Sequence, residues 1–290
     1  MIEYIEGDLF NSPAQVLVNT VNTVGVMGKG IALSFKKRYP GMFEAYRTAC
    51  EKHQLVIGKL MLYYAPDHWI LLFPTKMNWR NPSKIEYLEE GLKKFVNTYA
   101  EKRIMSIAFP KLGCGNGDLR WDDVRPIMEK YLKPLPITIY IYLGPDHSQP
   151  PEHTAQQETI EWMKENARDM SFDAVIEDLK LSAALLPYSF IVNGHRFEFA
   201  WSDHPTITQI GEESIILSED EMFKAWDFIR NHGIVSIDEN DKQASLFYAL
   251  LCSKGYLSPV KVISHQNGEE KKSIGYQIHA GYGRAFAVQE

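Results

Sequence analysis

The first half of the chain alternates short apolar runs with segments in which apolar residues recur at helical spacing. The apolar runs predict six strands, at residues 1–5, 16–19, 59–65, 69–74, 103–110 and 137–143. The helical spacing predicts helices at residues 29–39, 43–53 and 121–132. Strands that alternate with helices are typical of an α/β sandwich with a largely parallel sheet.

A further, longer helix is predicted to begin at Ser83. Glu86 follows three residues later, a spacing that favours a capping box, and Leu88, Leu92 and Phe95 mark the face expected to be buried. The sequence therefore predicts that the Ser83 hydroxyl caps this helix.

The second half of the chain has a different pattern, and residues 144–151 have the composition of a linker. Two Asn-Gly pairs, at 193–194 and 267–268, indicate hairpins. Strands are expected at residues 188–192, 195–201, 260–264 and 274–279, and helices at 155–168, 172–186, 218–231 and 243–253. We therefore predict two domains, one at residues 1–147 and a smaller α+β domain at 155–290.

The amino-acid composition limits the classes of protein to which the chain can belong. The chain has 290 residues of which 45% are hydrophobic, enough for ordinary cores, and no stretch resembles a signal peptide or a membrane span. Cys50, Cys114 and Cys252 lie far apart, and the histidines of the second half show no metal-ligand spacing. A reduced, cytoplasmic protein without a membrane partner, metal or cofactor is expected.

Charge is divided unequally along the chain. Residues 1–150 contain 19 Lys and Arg against 15 Asp and Glu, a net charge of +4. Residues 151–290 contain 12 against 22, a net charge of −10. The two halves are therefore expected to have different partners.

Candidate chemistry begins at a glycine-rich loop that follows the second strand. The loop carries Asn19, Asn22, Gly25, Gly28 and Gly30 before the next helix starts. Glycines let backbone approach a ligand closely, the first N–H groups of a helix favour an anion, and amide side chains can bind sugar hydroxyls. The spacing matches neither the dinucleotide-binding fingerprint nor the P-loop.

Three more features fall at predicted strand ends, where ligands bind in parallel sheets. Asp8 could bind a ligand amine or cap the following turn, and taken alone the cap is favoured. Lys76 alone would be interpreted as a solvated lysine. Cys114, within the second glycine-rich loop at 111–119, is interpreted as a small residue in a tight loop rather than a nucleophile. Because they share this location, a functional role for Asp8, Lys76 and both loops is better supported than when each is considered alone.

Taken in order, these motifs resemble the macrodomain family, and specifically its branch of DarG-type DNA ADP-ribosyl glycohydrolases and terminal ADP-ribose protein glycohydrolases. The resemblance covers about residues 1–143 and rests on four stretches: Gly7-Asp8-Leu9, the run from Asn19 to Gly30, Phe73-Pro74-Thr75-Lys76 with Trp79-Arg80, and Leu112-Gly113-Cys114-Gly115. It implies a three-layer α/β/α sandwich with a mixed sheet.

The resemblance also implies an ADP-ribose pocket and a catalytic lysine. Asp8 would bind the adenine amine, Asn22 and Gly28–Gly30 would surround the distal ribose, and Gly113–Gly117 would wrap the pyrophosphate. The catalytic lysine of this branch corresponds to Lys76, which would attack the anomeric carbon of the distal ribose. A lysine is a nucleophile only when neutral, and burial or a cation such as Arg80 would lower its pKa. The full set of expected substrate-binding residues is Asp8, Leu9, Asn19, Asn22, Thr23, Met27, Gly28, Lys29, Gly30, Ile31, Gly113, Cys114, Gly115, Asn116 and Gly117.

Two positions depart from the resemblance. The protein-directed relatives carry an aspartate where this chain has Gly117, and Asp118 is displaced by one position. Asn78 stands where a histidine is expected before Trp79. The first departure favours the DNA-directed branch, in which that aspartate is commonly absent.

These features suggest an antitoxin that acts in two ways. The first domain would remove ADP-ribose from single-stranded DNA, and the acidic second domain would occupy the basic groove of a DarT-type DNA ADP-ribosyltransferase toxin. Two alternatives stay open: a module that binds ADP-ribose without cleaving it, and a hydrolase of protein-linked or metabolite-linked ADP-ribose.

Overall fold

The computed structural model divides the chain into two compact units, residues 1–159 and 160–290. It describes residues 1–144, 153–184, 186–192, 194–209, 212, 214–237, 241–266 and 269–279, with the side chains of 264–266 and 269–272 excluded. Most of the expected linker at 144–151 and both asparagines of the expected hairpin turns, Asn193 and Asn267, lie outside the described residues.

The first unit is built on a six-stranded sheet. Its strands, in chain order, are β1 (Ile2–Ile5), β2 (Val16–Asn22), β3 (Met61–Tyr64), β4 (Trp69–Lys76), β5 (Ser106–Pro110) and β6 (Thr138–Tyr142). They lie side by side in the order β1-β6-β5-β2-β4-β3, and every neighbouring pair is parallel except β3 with β4. The expectation of a mixed, largely parallel sheet is confirmed.

Helices cover both faces of this sheet. The helices are α1 (Gly30–Arg38), α2 (Pro40–Glu51), α3 (Ile85–Thr98) and α4 (Trp121–Leu132). Successive residues of β2 enter different cores: Val16 and Val18 pack with α3 and α4, whereas Leu17 packs with α1 and α2. Because strand side chains alternate between the two faces of the sheet, one apolar strand contributes side chains to two hydrophobic layers. The three-layer α/β/α arrangement is therefore confirmed.

The expected capping box at Ser83 is wrong. Helix α3 begins at Ile85, its N-cap is Lys84, and no side chain caps it. Ser83 is instead buried, and its backbone N–H donates to the carbonyl of Gly117 at 2.9 Å. A tertiary contact with the second glycine-rich loop has replaced the local cap.

The second unit combines helices with two antiparallel sheets. Helix α5 (Gln156–Glu165) begins in the first unit and ends in the second, and is followed by α6 (Phe172–Ser182), α7 (Glu219–His232) and α8 (Lys242–Ser253). One sheet has the order β10-β9-β8-β7 and the other β11-β13-β12. The strands are β7 (Tyr188–Val192), β8 (His195–Trp201), β9 (Pro205–Gln209), β10 (Ser214–Ile216), β11 (Ile234–Ser236), β12 (Leu257–Gln266) and β13 (Glu269–Ile278).

This arrangement fits the expected α+β class, and strands β9, β10 and β11 are additions that the sequence pattern did not indicate. Ser218 caps α7 as predicted, because its hydroxyl accepts from the N–H of Glu221. Within the residues described, no helix has both the length and the apolar character needed to cross a bilayer.

Candidate functional site

A cleft of about 1500 Å³ opens at the carboxyl ends of the parallel strands. Small-molecule sites typically occupy about 300–1000 Å³, so this cleft has room for a ligand of dinucleotide size. Its wall includes the segments after β1, β6 and β5, the end of β2, and Thr75 and Lys76 at the end of β4. Most of the residues predicted from the sequence are therefore brought together in one cavity.

The order of the strands sets the order of the side chains along the cleft. Asp8 follows β1, the second glycine-rich loop follows β5, Asn22 ends β2 and Lys76 ends β4. The sheet places β1 four strands away from β4. At a spacing of about 4.8 Å between neighbouring strands, the two strand ends are about 19 Å apart. The cleft is thus elongated, with Asp8 towards one end and Lys76 towards the other.

The first glycine-rich loop delivers the start of α1 to the cleft. Gly28, Lys29, Gly30 and Ile31 all line it, and no side chain caps the helix at Lys29. The first N–H groups of α1 therefore remain available to a bound anion. Gly30 has φ +58°, so the backbone favours glycine there, and a Cβ would displace the Asn116 side chain, whose Nδ2 would lie 2.6 Å away.

Asn22 holds this loop in shape. Its Oδ1 accepts from the N–H groups of Val24 and Val26 at 3.1 and 3.3 Å, and from the hydroxyl of Tyr46 at 3.0 Å. Its Nδ2 donates to the carbonyl of Val26 at 2.7 Å. Asn22 was expected to surround a ribose, but most of its hydrogen-bonding capacity serves the loop itself, leaving one amide hydrogen.

Three residues expected in the substrate site do not line the cleft. Asn19 and Met27 are fully buried, and Nδ2 of Asn19 points to Sδ of Met27 at 3.9 Å. Thr23 donates from its N–H and its hydroxyl to the carbonyl of Met77, at 3.3 and 2.7 Å. These side chains support the walls of the cleft, and Thr23 connects the first loop to the chain just after Lys76.

Asp8 caps a turn and also lines the cleft. One carboxylate oxygen accepts from the N–H of Phe10 at 3.0 Å and caps a single 3₁₀ turn, Leu9–Asn11. The residue is nevertheless exposed and lines the cleft together with Leu9, so its second oxygen is available for a ligand amine. Capping and ligand binding are therefore compatible at this position.

Lys76 is buried, in contrast with the solvated lysine that the strand end alone would suggest. Only 5% of the residue is exposed, yet it lines the cleft. Its Nζ donates to the carbonyl of Trp79 at 3.5 Å, and Trp79 is itself fully buried beneath the guanidinium of Arg80. The buried amine therefore borders the cleft.

The second glycine-rich loop contributes Gly113, Cys114, Gly115, Asn116 and Gly117 to the cleft. Its base is packed tightly. A Cβ at Gly117 would lie 2.3 Å from Oγ of Ser83 and 2.4 Å from the carbonyl oxygen of Gly113. The loop therefore excludes every side chain at the position where the protein-directed relatives are expected to carry aspartate.

Cys114 is shielded within this loop. Burial raises the pKa of its thiol to about 12, partly offset by Lys111, and Sγ donates to the carbonyl of Leu112 at 3.3 Å. The nucleophilic form of cysteine is the thiolate, so the raised pKa argues against catalysis.

We expect Cys114 of the native protein to react with iodoacetamide at pH 8 about a hundredfold or more slowly than the same thiol in the unfolded chain. Labelling should accelerate only as the pH approaches the raised pKa. Peptide mapping by mass spectrometry after timed alkylation measures this directly. Rapid modification of the native protein at pH 8 would show that Cys114 is an activated thiol.

Several residues at the cleft were not identified from the sequence. Tyr142, Leu143 and Gly144 line it after β6, as the strand-end rule could have indicated. Glu158 also lines it, and its Oε2 accepts from Nζ of Lys29 at 2.6 Å. His153 does not line the cleft but lies 3.5 Å from the carboxylate of Asp118, which does. Nothing local marks Glu158 or His153, because both come from the segment after the expected linker.

The first unit is similar in sequence to known proteins. Residues 18–128 match the family model described as the Macro domain. The chain is 46% identical over 147 residues to the "DNA ADP-ribosyl glycohydrolase" of Thermus aquaticus, covering 49% of this chain and 41% of that protein. It is 42% identical over 161 residues to the "DNA ADP-ribosyl transferase-DNA ADP-ribosyl glycohydrolase fusion protein" of Thermosipho africanus, covering 49% of this chain and 42% of that one.

Among solved structures, the "Macrodomain of Thermus aquaticus DarG" is 45% identical and superposes with a TM-score of 0.47, over 49% of this chain and 98% of that one. The chain spans about two fifths of the length of the Thermus aquaticus and Thermosipho africanus relatives.

Proposed function

We propose that the N-terminal unit, in which residues 18–128 match the Macro domain model, removes ADP-ribose from DNA bases by hydrolysing the N-glycosidic bond. The relatives named DNA ADP-ribosyl glycohydrolase share 46 to 48% identity with it across this unit. The proposal extends the activity in their names to a chain that matches only part of their length.

The observation that carries this proposal is the order of side chains along the sheet. An elongated ligand with adenine at Asp8 would place its pyrophosphate at the second loop and the start of α1, and its distal ribose beside Lys76. Backbone N–H groups at a helix start suit the pyrophosphate, and a carboxylate suits the adenine amine. The anomeric carbon of the distal ribose would then lie beside Lys76, the one buried lysine among the described residues that line the cleft.

The chemistry proceeds in two steps. The neutral amine of Lys76 attacks the anomeric carbon of the distal ribose, the bond from that carbon to the base breaks, and the base leaves with the electron pair and takes up a proton. Water then attacks the same carbon of the covalent adduct, which releases ADP-ribose and returns the amine. Binding energy from the adenine and the pyrophosphate positions the ribose for both steps.

Two features favour a DNA-borne substrate over a protein-borne one. Residues 1–150 have a net charge of +4, and the whole first unit, residues 1–159, has +2, the sign expected for a partner that carries phosphates. The packing of Gly117 against Ser83 and Gly113 leaves no space for the aspartate expected in protein-directed relatives. The buried Lys76 favours a hydrolase over a module that only binds ADP-ribose.

The test is release of ADP-ribose by the full chain from three substrates at equal concentration. These are single-stranded DNA carrying ADP-ribosylated thymidine, the same strand carrying ADP-ribosylated guanosine, and a protein ADP-ribosylated on glutamate. We expect release from at least one DNA and slower release from the protein. Tight binding of ADP-ribose without release from any substrate would instead establish a binding module.

We further propose that the second unit binds and neutralises a DarT-type DNA ADP-ribosyltransferase, and that both act in the cytoplasm. The fusion relative joins a transferase and a glycohydrolase in one chain by name, which supports a shared context. Counted from residue 160, the second unit has 12 Lys and Arg against 20 Asp and Glu, a net charge of −8. A surface of this sign suits the basic groove that a DNA-modifying enzyme needs.

The N-terminal end of α7 is the most concentrated acidic site in the second unit's described helices. Glu219, Asp220 and Glu221 occupy its first turn, and Phe228 on the same helix is 45% exposed. We expect replacement of all three acids by lysine to weaken binding of the full chain to its transferase by about tenfold or more, and to reduce the salt dependence of binding.

The matched control reverses Asp122 and Asp123, which occupy the first turn of α4 in the other unit. Calorimetry at two salt concentrations compares the variants. Equal loss from both variants, or transferase binding that ignores salt, would contradict the electrostatic account. Thermal unfolding of each variant checks that the loss is not caused by local melting, since acidic residues at a helix N-terminus also stabilise it.

A further inference from the structure

The proposed reaction constrains where the DNA strand must lie. The base is bonded to the carbon that Lys76 attacks, so the base and its sugar sit immediately outside the Lys76 end of the cleft. The chain that leaves this end is residues 77–84, which we call the rim segment. This segment is therefore a candidate surface for the strand next to the modified base.

The rim segment is basic. It contains Arg80 and Lys84, and the sequence from His68 to Ile85 contains no Asp or Glu. Lys84 is exposed, and the guanidinium carbon of Arg80 lies 4.3 Å from the centre of the buried Trp79 ring. Phosphate groups that pass the mouth of the cleft would therefore meet positive charge.

The segment also has stacking surface next to the charge. Nζ of Lys84 lies 5.7 Å from the centre of the Tyr87 ring, and the Tyr87 hydroxyl contacts Sδ of Met77 at 3.3 Å. Met77 is 55% exposed, and its carbonyl accepts two hydrogen bonds from Thr23 of the first loop. Aromatic and thioether groups interleaved with cations are the combination that binds unpaired bases and their backbone.

We propose that the rim segment, with Tyr87 of α3, is the binding surface for the single DNA strand that flanks the modified base. Lys84 contacts a flanking phosphate, and Met77 and Tyr87 support a neighbouring unpaired base. This inference rests on the proposed function and adds to it the part of the substrate that lies outside the ADP-ribose cleft.

The test compares two substrates in the full chain: ADP-ribosylated thymidine within a single-stranded oligonucleotide, and the ADP-ribosylated nucleoside, which has no flanking phosphate. We expect wild type to prefer the oligonucleotide by about tenfold or more in kcat/KM, mainly through KM. Lys84→Glu and Tyr87→Leu should each reduce that preference by at least about threefold. Lys84→Ala should also lower the slope of log affinity against log salt by about 0.7.

Lys94→Glu is the matched control. Lys94 is exposed on the same helix, ten residues beyond Lys84 and therefore about 15 Å further along it. It should retain the preference for the oligonucleotide. If wild type cleaves the nucleoside and the oligonucleotide equally well, or if Lys94→Glu and Lys84→Glu behave alike, the inference is overturned while the hydrolase stands.

A second measurement separates this inference from the proposed function. Fluorescence anisotropy with an unmodified, labelled single strand does not depend on catalysis. Weaker binding of Lys84→Glu than of Lys94→Glu supports the surface even if no substrate is cleaved. If wild type does not bind the strand, and its cleavage rate does not depend on the flanking nucleotides, the proposed surface is rejected. The proposed hydrolase activity then still stands.

Discussion

Replacement of Lys76 by alanine is expected to slow ADP-ribose release from ADP-ribosylated single-stranded DNA by about a thousandfold or more. The variant loses the one group placed to form the covalent adduct, whereas the residues expected to bind adenine and pyrophosphate remain. ADP-ribose affinity, measured by calorimetry, should therefore change only a few-fold. Single-turnover rates on a purified oligonucleotide measure the loss without interference from product release.

Lys76→Arg separates nucleophilic attack from simple electrostatics. Arginine keeps a positive charge at the position but stays protonated, so it should be as inactive as alanine if the amine forms a bond with the ribose. Substantial activity in Lys76→Arg would mean that the charge alone stabilises the transition state. Full activity in Lys76→Ala would reject Lys76 as a catalytic residue altogether.

Replacement of Gly117 by alanine is expected to lower ADP-ribose affinity by about tenfold or more and the free energy of unfolding by about 1–3 kcal/mol. The added Cβ would lie 2.4 Å from the carbonyl oxygen of Gly113, and the backbone cannot yield there without changing the shape of the loop. Gly117→Asp should be at least as damaging, so it should not create activity on ADP-ribosylated protein. Calorimetry and thermal unfolding report the two effects.

Gly7→Ala is the control for Gly117→Ala, because both glycines line the same cleft. A Cβ at Gly7 would meet its nearest neighbours at 3.8 Å, an ordinary contact, so little change is expected. Ser83→Ala combined with Gly117→Ala should not restore binding, since the clash with Gly113 remains. Normal affinity in Gly117→Ala would show that the loop adapts, and the spatial argument against an aspartate would fail.

The sequence predicted most strands and helices of the first unit, because strand and helix periodicities are local properties. It also located the cleft, since the rule that ligands bind at strand carboxyl ends needs only the strand boundaries. The strand order, which arranges Asp8, the second loop and Lys76 along one line, became known from the structure.

Side-chain roles that depend on distant partners could not be predicted. Asn22 is occupied by its own loop and by Tyr46, which lies 24 residues away. Ser83 follows the signature of a helix cap, yet it packs beneath Gly117, 34 positions later in the chain. Glu158 pairs with Lys29 from a separation of 129 residues. In each case the role of the side chain depends on a tertiary contact, which the local sequence pattern does not indicate.

The hydrogen bonds around Asn22 have a consequence for the thermodynamics of ligand binding. The amides of Val24 and Val26 are fixed by Asn22, and Tyr46 anchors Asn22 from the buried face of α2. The conformational entropy of the first loop is therefore lost when the protein folds rather than when the ligand arrives. Slow hydrogen exchange at these two amides in the free protein would be the signature of such preorganisation, and ligand affinity then carries little penalty for ordering this loop.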